Sequence, residues 1–247
     1  MKKLITISLI LFLFFFTHES HAVANPTIIG TNTTGTTGVV NPSFSHTVPS
    51  GGQNKILLVL IMHEGDHPTA ITWNGAAMTR IAIIQPGLAI VNINVWYIVN
   101  PEVGTYTVSI TKTTQGDSGW IALTLQDVNQ TTPQDATGTA NSNGTGTSWT
   151  SDIGTPATDS LTINIGAVAN GTAWTVGTGQ TAIEAPFEMP AVGDYEFVSS
   201  YEVGEDIMTE TWTNSVGYEQ GSVAFNYQAP TVSAVSPRIE PNPIIYE

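Results

Sequence analysis

Residues 63 to 67 read His-Glu-Gly-Asp-His and match the H-E-x-x-H pattern of zinc proteases. In those enzymes both histidines lie on one face of a helix and bind the metal, while the glutamate activates water. A helix is not expected here, because an apolar run precedes the motif, Gly65 interrupts it and Pro68 follows it. We therefore interpret the motif as a polar loop at the end of a strand. Divalent-metal binding by His63 and His67 is the alternative.

Acidic side chains are concentrated in the last third of the chain, and they suggest a different metal. Oxygen-rich loops can hold Ca²⁺, which accepts many oxygen ligands in flexible geometry. The acidic residues of this region are Glu184, Glu188, Asp194, Glu196, Glu202, Glu205, Asp206 and Glu210. We predict a calcium site at Glu202, Glu205 and Asp206. Their spacing does not match an EF-hand loop, so a solvated acidic surface is the alternative.

Glu210 differs from the other acids because it lies within an alternating strand pattern. If Met208 and Trp212 point inward, Glu210 shares their face, and it is then either buried with a partner or placed beside an exposed tryptophan. A glycosidase would need two carboxylates that face each other across the substrate. The sequence identifies no such pair and no positioned nucleophile and base, so we predict a protein that is not an enzyme.

Tryptophans are candidates for ligand contact because their flat rings can stack on the apolar faces of sugars. Of the six, Trp73, Trp96 and Trp120 lie in strongly alternating segments and are expected in the core. Trp149 and Trp174 lie in Gly/Thr-rich segments that we predict to be loops, where a large aromatic side chain calls for an explanation. We predict that these two residues contact a ligand. The alternative is that each folds back over the edge of the sheets.

The N-terminus has the pattern of a secretion signal over residues 1 to 24. Two lysines precede an apolar run from Leu4 to Phe16, and Ala22-Val23-Ala24 resembles a cleavage site. The run is too short to span a bilayer comfortably, so no membrane span is expected in the mature chain. We predict a protein that is secreted to the extracellular space or the cell surface.

The charge of the chain argues against nucleic acid as a partner, and the lack of cysteine excludes disulfides as a source of stability. The formal net charge is −14, and after removal of the signal only Lys55, Arg80, Lys112 and Arg238 are basic. Nucleic-acid binding depends on clustered basic residues, so we do not expect it. The chain contains no cysteine, and an exported protein of this kind must rely on core packing rather than on disulfides.

Alternating apolar and polar residues predict strands throughout the chain, and no segment has the periodicity of an amphipathic helix. Clear examples are residues 105–111, 121–126, 161–167 and 222–227, while both faces of Ile56 to Met62 are apolar, as in a central strand covered on both sides. Asn74-Gly75 predicts a two-residue hairpin turn. Asn100 to Gly104 predicts a second turn.

This pattern indicates an all-β protein, specifically an antiparallel β-sandwich of jelly-roll type. We expect one sandwich domain over residues 25–228 and a Pro-rich C-terminal tail over 229–247. The segment from Thr137 to Pro156 is rich in Gly, Ser, Thr and Asn, and we predict a long crossover loop there.

Three segments resemble a known kind of exported module. They are Ile71 to Thr79, Val95 to Pro101 with Gly104 to Val108, and Leu123 to Pro133. The chain from about residue 38 to 228 resembles poorly characterised secreted β-sandwich modules of bacterial and phage extracellular proteins. These modules recur beside adhesion and carbohydrate-binding domains, and the resemblance fixes no catalytic or binding residues.

The leading expectation for function is a non-catalytic extracellular binding or adhesion module that recognises a glycan or a cell-surface component, with structural Ca²⁺ as a possible cofactor. A second hypothesis is a structural subunit of a filament, coat or phage particle that self-associates. In that case the segment from Asn25 to Gly38 or the Pro-rich tail would add a strand to a neighbour. A third is hydrolysis by the histidine motif or by a pair of carboxylates.

Overall fold

A computed structural model describes residues 24–84, 91–135, 140–169, 173–189 and 195–230. These residues form antiparallel sheets, turns and irregular segments without any helix, which confirms the prediction of an all-β protein. In this part of the chain there is consequently no helix that could cross a membrane. Almost all of the predicted secretion signal, and the tail beyond residue 230, lie outside the described residues.

Sixteen strands account for most of the described residues. They are β1 (Thr27–Thr37), β2 (Ser43–Val48), β3 (Ile56–His63), β4 (Ala70–Trp73), β5 (Ala76–Ala77), β6 (Thr79–Ile84), β7 (Asn92–Val99), β8 (Gly104–Thr111), β9 (Ser118–Gln126), β10 (Ala140–Asp152), β11 (Leu161–Ala169), β12 (Trp174–Val176), β13 (Thr181–Ala182), β14 (Phe187–Glu188), β15 (Tyr195–Val203) and β16 (Ile207–Phe225). The strands assemble into three sheets. A five-stranded sheet has the order β1-β9-β3-β7-β6, a four-stranded sheet has the order β2-β8-β4-β5, and a seven-stranded sheet follows β10-β16-β11-β15-β13, with β12 paired to β16 and β14 to β15.

The five-stranded sheet lies between the other two, as alternate residues of β3 show. Leu58 and Leu60 belong to a core shared with β11, β15 and β16 of the seven-stranded sheet, while Leu57 and Val59 belong to a second core shared with β4 and β8. All eight residues of β3 are buried. The prediction of a central strand covered on both sides is therefore confirmed, and its physical basis is that neither face meets water.

Two turns were predicted correctly because few residue types other than Gly and Asn readily adopt the positive φ that these turns need. Asn74 and Gly75 both have positive φ, 47° and 81°, and connect β4 directly to β5, as a type I′ turn requires. Asn100 also has a positive φ and ends β7 before Gly104 begins β8. The segment from Asn25 to Gly38 forms β1 and pairs with β9 of its own chain.

The crossover loop predicted from Thr137 to Pro156 is wrong, since β10 occupies residues 140–152. Its poor strand composition is offset by pairing with β16 along almost its whole length and by the burial of Trp149. The described part of the predicted loop that remains irregular is the short segment after Asp152.

Strand β16 is long enough to belong to two layers. Its second half pairs with β11, whereas its first half pairs with β12 and with the end of β10. Glu210 in that first half contacts Ser200 of β15, and Trp149 of β10 lies against Gly166 of β11. The first half of β16, with β10 and β12, therefore covers the outer face of β11 and β15.

Candidate ligand-binding groove

An open groove of about 540 Å³ lies where β12 and the first half of β16 meet the end of β15. Its walls carry two carboxylates, hydroxyls and one amide, together with two aliphatic side chains. The lining residues are Val176, Gly177, Thr178, Gln180, Glu202, Glu205, Ile207, Thr209 and Thr211. Thr209 and Thr211 face the groove because they alternate along β16 with the buried residues Met208, Glu210 and Trp212.

Glu210 lies fully buried directly behind this groove. The Ser200 hydroxyl is 2.6 Å from Glu210 Oε1, and the Trp174 indole N–H donates to Glu210 Oε2 at 2.8 Å. Burial raises the pKa of the Glu210 carboxyl, while the hydrogen bonds from Ser200 and Trp174 and the nearby Asn164 side chain oppose that shift. The sequence alternative in which Glu210 is buried with a partner is the one observed.

The three predicted calcium ligands lie close together in the chain, but only Glu202 and Glu205 line the groove. Burial and the neighbouring Glu205 raise the pKa of Glu202, as expected for two carboxylates that repel each other. The main-chain carbonyl of Asp206 accepts a hydrogen bond from the Ile153 N–H. Within the described ranges, no group of three or more His, Cys, Asp or Glu side chains is arranged to hold a metal ion.

Trp149 is not in a loop, and its ring is not available to stack on a ligand. It is 1% exposed, rests on Gly166 and makes an edge-to-face contact with Trp212 at a centroid distance of 5.1 Å. The sequence alternative, a tryptophan folded back over the sheet, describes it better. Gly166 is required because a Cβ at that position would overlap the Trp149 ring.

Trp174 lies in β12 rather than in a loop, and it is half-buried. Its indole nitrogen faces inward to Glu210, next to Val176, which lines the groove. Trp174 therefore supports the groove from behind. The three other tryptophans predicted for the core, Trp73, Trp96 and Trp120, are all buried.

The H-E-x-x-H residues lie at the end of β3 and in the bend that follows, so they do not have the helical geometry of a zinc protease. The rings of His63 and His67 are nevertheless only 5.3 Å apart. The Asn94 amide donates to both, to His63 Nε2 at 2.8 Å and to His67 Nδ1 at 3.1 Å. Burial, assisted by Lys112, lowers the pKa of His63 to about 3. The pair is thus an amide-bridged, uncharged cluster at neutral pH.

A second groove, of about 450 Å³, lies between β1 and β2 and is lined mainly by Ser and Thr residues with His46. His46 is buried and lies 2.9 Å from the Thr33 hydroxyl and 3.2 Å from the Thr124 hydroxyl. Burial lowers the pKa of His46 to about 4. This groove lacks the combination of carboxylate, amide and aliphatic groups found beside Glu210.

Comparison of the chain with protein-family models, with curated protein sequences and with solved structures finds no match in any of the three. The chemistry of the groove must therefore be inferred from its own residues. Sequence reasoning missed Gln180 and Ser200, which carry no motif. Thr209-Glu210-Thr211 did carry a signal, because an acid between two threonines in an alternating strand must face the opposite side.

Proposed function

We propose that this protein is a secreted, non-catalytic binding module that recognises a glycan in the groove formed by β12, β15 and β16. The observation that carries the proposal is the set of groups lining the groove. Glu202 and Glu205 accept hydrogen bonds, Gln180 donates and accepts them, and Thr209 and Thr211 supply hydroxyls. Sugars present donors and acceptors at every carbon that bears a hydroxyl, so they are complementary to such a wall.

The shape and charge of the groove favour a neutral sugar over other small molecules. Val176 and Ile207 provide apolar surface for the C–H faces of a ring. The two carboxylates repel anionic ligands such as phosphates and acidic sugars. The groove is open at its sides, which suits a segment of a longer chain better than an enclosed metabolite.

We also infer that the first nine strands form the jelly roll expected from the sequence. Two strand orders support this inference: β1-β9-β3-β7 in one sheet and β2-β8-β4-β5 in the other. The first and last strands, β1 and β9, lie side by side in one sheet, and the second and second-to-last, β2 and β8, lie side by side in the other, as in two interlocking Greek keys. The seven-stranded sheet that carries the groove would then be an addition to the outside of this roll.

The test is a glycan array probed with the mature wild-type protein and with the variant Glu202→Gln/Thr209→Ala. The wild type should bind one class of neutral glycan, and the variant should lose at least tenfold in affinity, the equivalent of about 1.4 kcal/mol. Thr107→Ala is the matched control, because Thr107 is an exposed threonine of β8 in the four-stranded sheet. Equal binding by all three proteins, or binding by none, would contradict the proposal.

A further inference from the structure

Two polar groups, Gln180 and Ser200, lead from the groove to the buried carboxyl of Glu210. Gln180, which lines the groove, has its Oε1 atom 3.1 Å from the Ser200 hydroxyl oxygen. The same hydroxyl oxygen is 2.6 Å from Glu210 Oε1, and the Trp174 N–H donates to Glu210 Oε2. Ser200 and Glu210 are both completely buried, so bulk solvent does not compete for these contacts.

Counting hydrogens decides which group donates to which. A serine hydroxyl has one hydrogen, and the amide oxygen of Gln180 has none to give. If Ser200 donates to Gln180 Oε1, the hydrogen in the 2.6 Å contact must come from Glu210, which is then a neutral carboxylic acid. If Glu210 were ionised, Ser200 would donate to it, and Gln180 would have to turn its –NH₂ group towards Ser200.

The direction of the Gln180 amide determines what the groove offers to a ligand. With Oε1 turned inward to Ser200, the Nε2 atom lies on the side of Gly177, which also lines the groove. The neighbouring Glu202 carboxylate extends beside Gly179. Gln180 and Glu202 line the same groove, which therefore offers a donor and an acceptor. Such a pair complements an amide, which has one C=O and one N–H.

We propose that Glu210 and Ser200 hold the Gln180 amide with its –NH₂ group towards the groove, so that the groove selects sugars that carry an acetamido group. Gln180 donates to the acetamido carbonyl, and Glu202 accepts from its N–H. This inference rests on the proposed glycan-binding function. Glu210 is a positioning residue in this arrangement, since it acts on the ligand only through Ser200 and Gln180.

The arrangement depends on pH because it requires the neutral form of Glu210. Burial raises the pKa of Glu210, so the neutral acid persists above the usual range of a glutamate and is lost as pH rises through that raised pKa. The sequences of β11 and β12 contain no ionisable residue. The ionisable residues on the other elements around Glu210 are Asp152 on β10, Tyr195, Glu196, Tyr201 and Glu202 on β15, Glu205 and Asp206 in the turn, and Tyr218 and Glu219 on β16.

The first experiment measures affinity for chitohexaose and for cellohexaose, which share a β-1,4-linked backbone but differ in the acetamido group. The wild type should prefer chitohexaose by about tenfold at acidic pH, where Glu210 is neutral, the ratio expected for one well-placed hydrogen-bonded pair. Gln180→Leu should abolish the preference. A wild type that binds both oligosaccharides equally, or a Gln180→Leu protein that keeps the preference, would overturn the inference.

The second experiment follows the preference as the pH is raised. The wild type should lose it, whereas Glu210→Gln should keep it at every pH, because a glutamine at 210 can donate permanently to Ser200 and still accept from Trp174. Glu219→Gln is the control, since burial raises the pKa of Glu219 to about 8 and its titration must be separated from that of Glu210. This control should behave as the wild type does. A Glu210→Gln protein with the pH profile of the wild type would refute the role of Glu210.

A third measurement needs no sugar and separates this inference from the proposed function. The ¹³C shift of the Glu210 carboxyl and the ¹⁵N shift of the Gln180 side-chain amide should follow the same titration curve in the wild type. If the Glu210→Gln protein does not fold, Ser200→Ala should uncouple the two groups in the same way. Coincident titrations without binding of either oligosaccharide would overturn the glycan function while supporting the positioning of Gln180. Independent titrations would overturn the inference itself.

Discussion

Burial favours the uncharged forms of two histidines and one glutamate in this protein, and these groups do not respond to pH in the same direction. His46 and His63 have lowered pKa values, about 4 and about 3, because burial disfavours the imidazolium. Glu219 has a pKa raised to about 8 because burial disfavours its carboxylate. A fall in pH therefore destabilises the folded state by favouring protonation of the histidines. A rise in pH destabilises it by favouring ionisation of Glu219.

Replacing Glu219 with Gln should make the protein more resistant to mild base. An unfolded glutamate ionises near pH 4.5, whereas the folded one keeps its proton up to about pH 8. Between these values the folded state binds more protons, so the free energy of unfolding falls as pH rises, by at most about 1.4 kcal/mol per pH unit. Urea unfolding of E219Q at several pH values from 5 to 8 should show a shallower slope than the wild type.

The matched control is Glu184→Gln, which changes the charge by the same amount at a partly exposed position between β13 and β14. It should retain the slope of the wild type. Parallel slopes for E219Q and the wild type would mean that Glu219 is not held neutral by burial.

At the scale of single elements, β10 and β11 pack closely because a large side chain of β10, Trp149, lies against a glycine of β11, Gly166. The Trp149 ring occupies the space that a side chain at Gly166 would fill. In such a closely packed contact, either adding a methyl group or removing the ring lowers the stability of the folded state. The attachment of β10 to the outer face of the sheet therefore depends on this pair.

Substitution of Gly166 by Ala should destabilise the protein by about 1–3 kcal/mol, because the new methyl group forces Trp149 out of its position. In a Trp149→Leu background the same substitution should cost clearly less, which a double-mutant cycle of urea midpoints would detect. Gly51→Ala is the control, since no atom outside its chain neighbours lies within 4 Å of a Cβ built there. Additive costs for G166A and W149L would show that the two positions are not coupled.

The strands also differ in how well they could be predicted from the sequence. The alternating pattern of β8, β9 and β11 and the apolar run of β3 were sufficient to predict these strands. In each case the residue types indicate whether one face or both faces are buried. β10 was missed because its glycine, serine and threonine residues give no alternating apolar pattern. It forms a strand because it pairs with β16. For the groove, Glu202, Glu205 and Glu210 were recognised as candidates, but Gln180 and Ser200 come together only through the pairing of β13 with β15.

At the scale of the whole molecule, one apolar core joins the first and the last strands. Leu58 and Leu123 of the five-stranded sheet share it with Ile163 and Phe225 of the seven-stranded sheet. Neither sheet can leave this core without exposing the other to water. The described residues should therefore unfold as one cooperative unit.

Urea unfolding should show a single transition that is the same for every probe. With 5-fluorotryptophan incorporated, the ¹⁹F signals of Trp73 in β4 and Trp212 in β16 should change at the same urea concentration as the circular dichroism signal. Ile163→Ala should shift all three midpoints together, because the loss of a buried isoleucine costs about 2–5 kcal/mol. Separate midpoints for Trp73 and Trp212 would indicate two independently stable units.

The burial of both faces of β3 has a further consequence while the protein is synthesised and folds. This strand has seven consecutive apolar residues, from Ile56 to Met62, and the residues that shield one of its faces extend as far as Phe225. Until those residues are present, β3 and its neighbours expose a surface of the kind that drives intermolecular strand pairing. The nascent chain should thus be prone to aggregate until the residues up to Phe225 have emerged, and it should depend on a chaperone that masks the segment around residue 60.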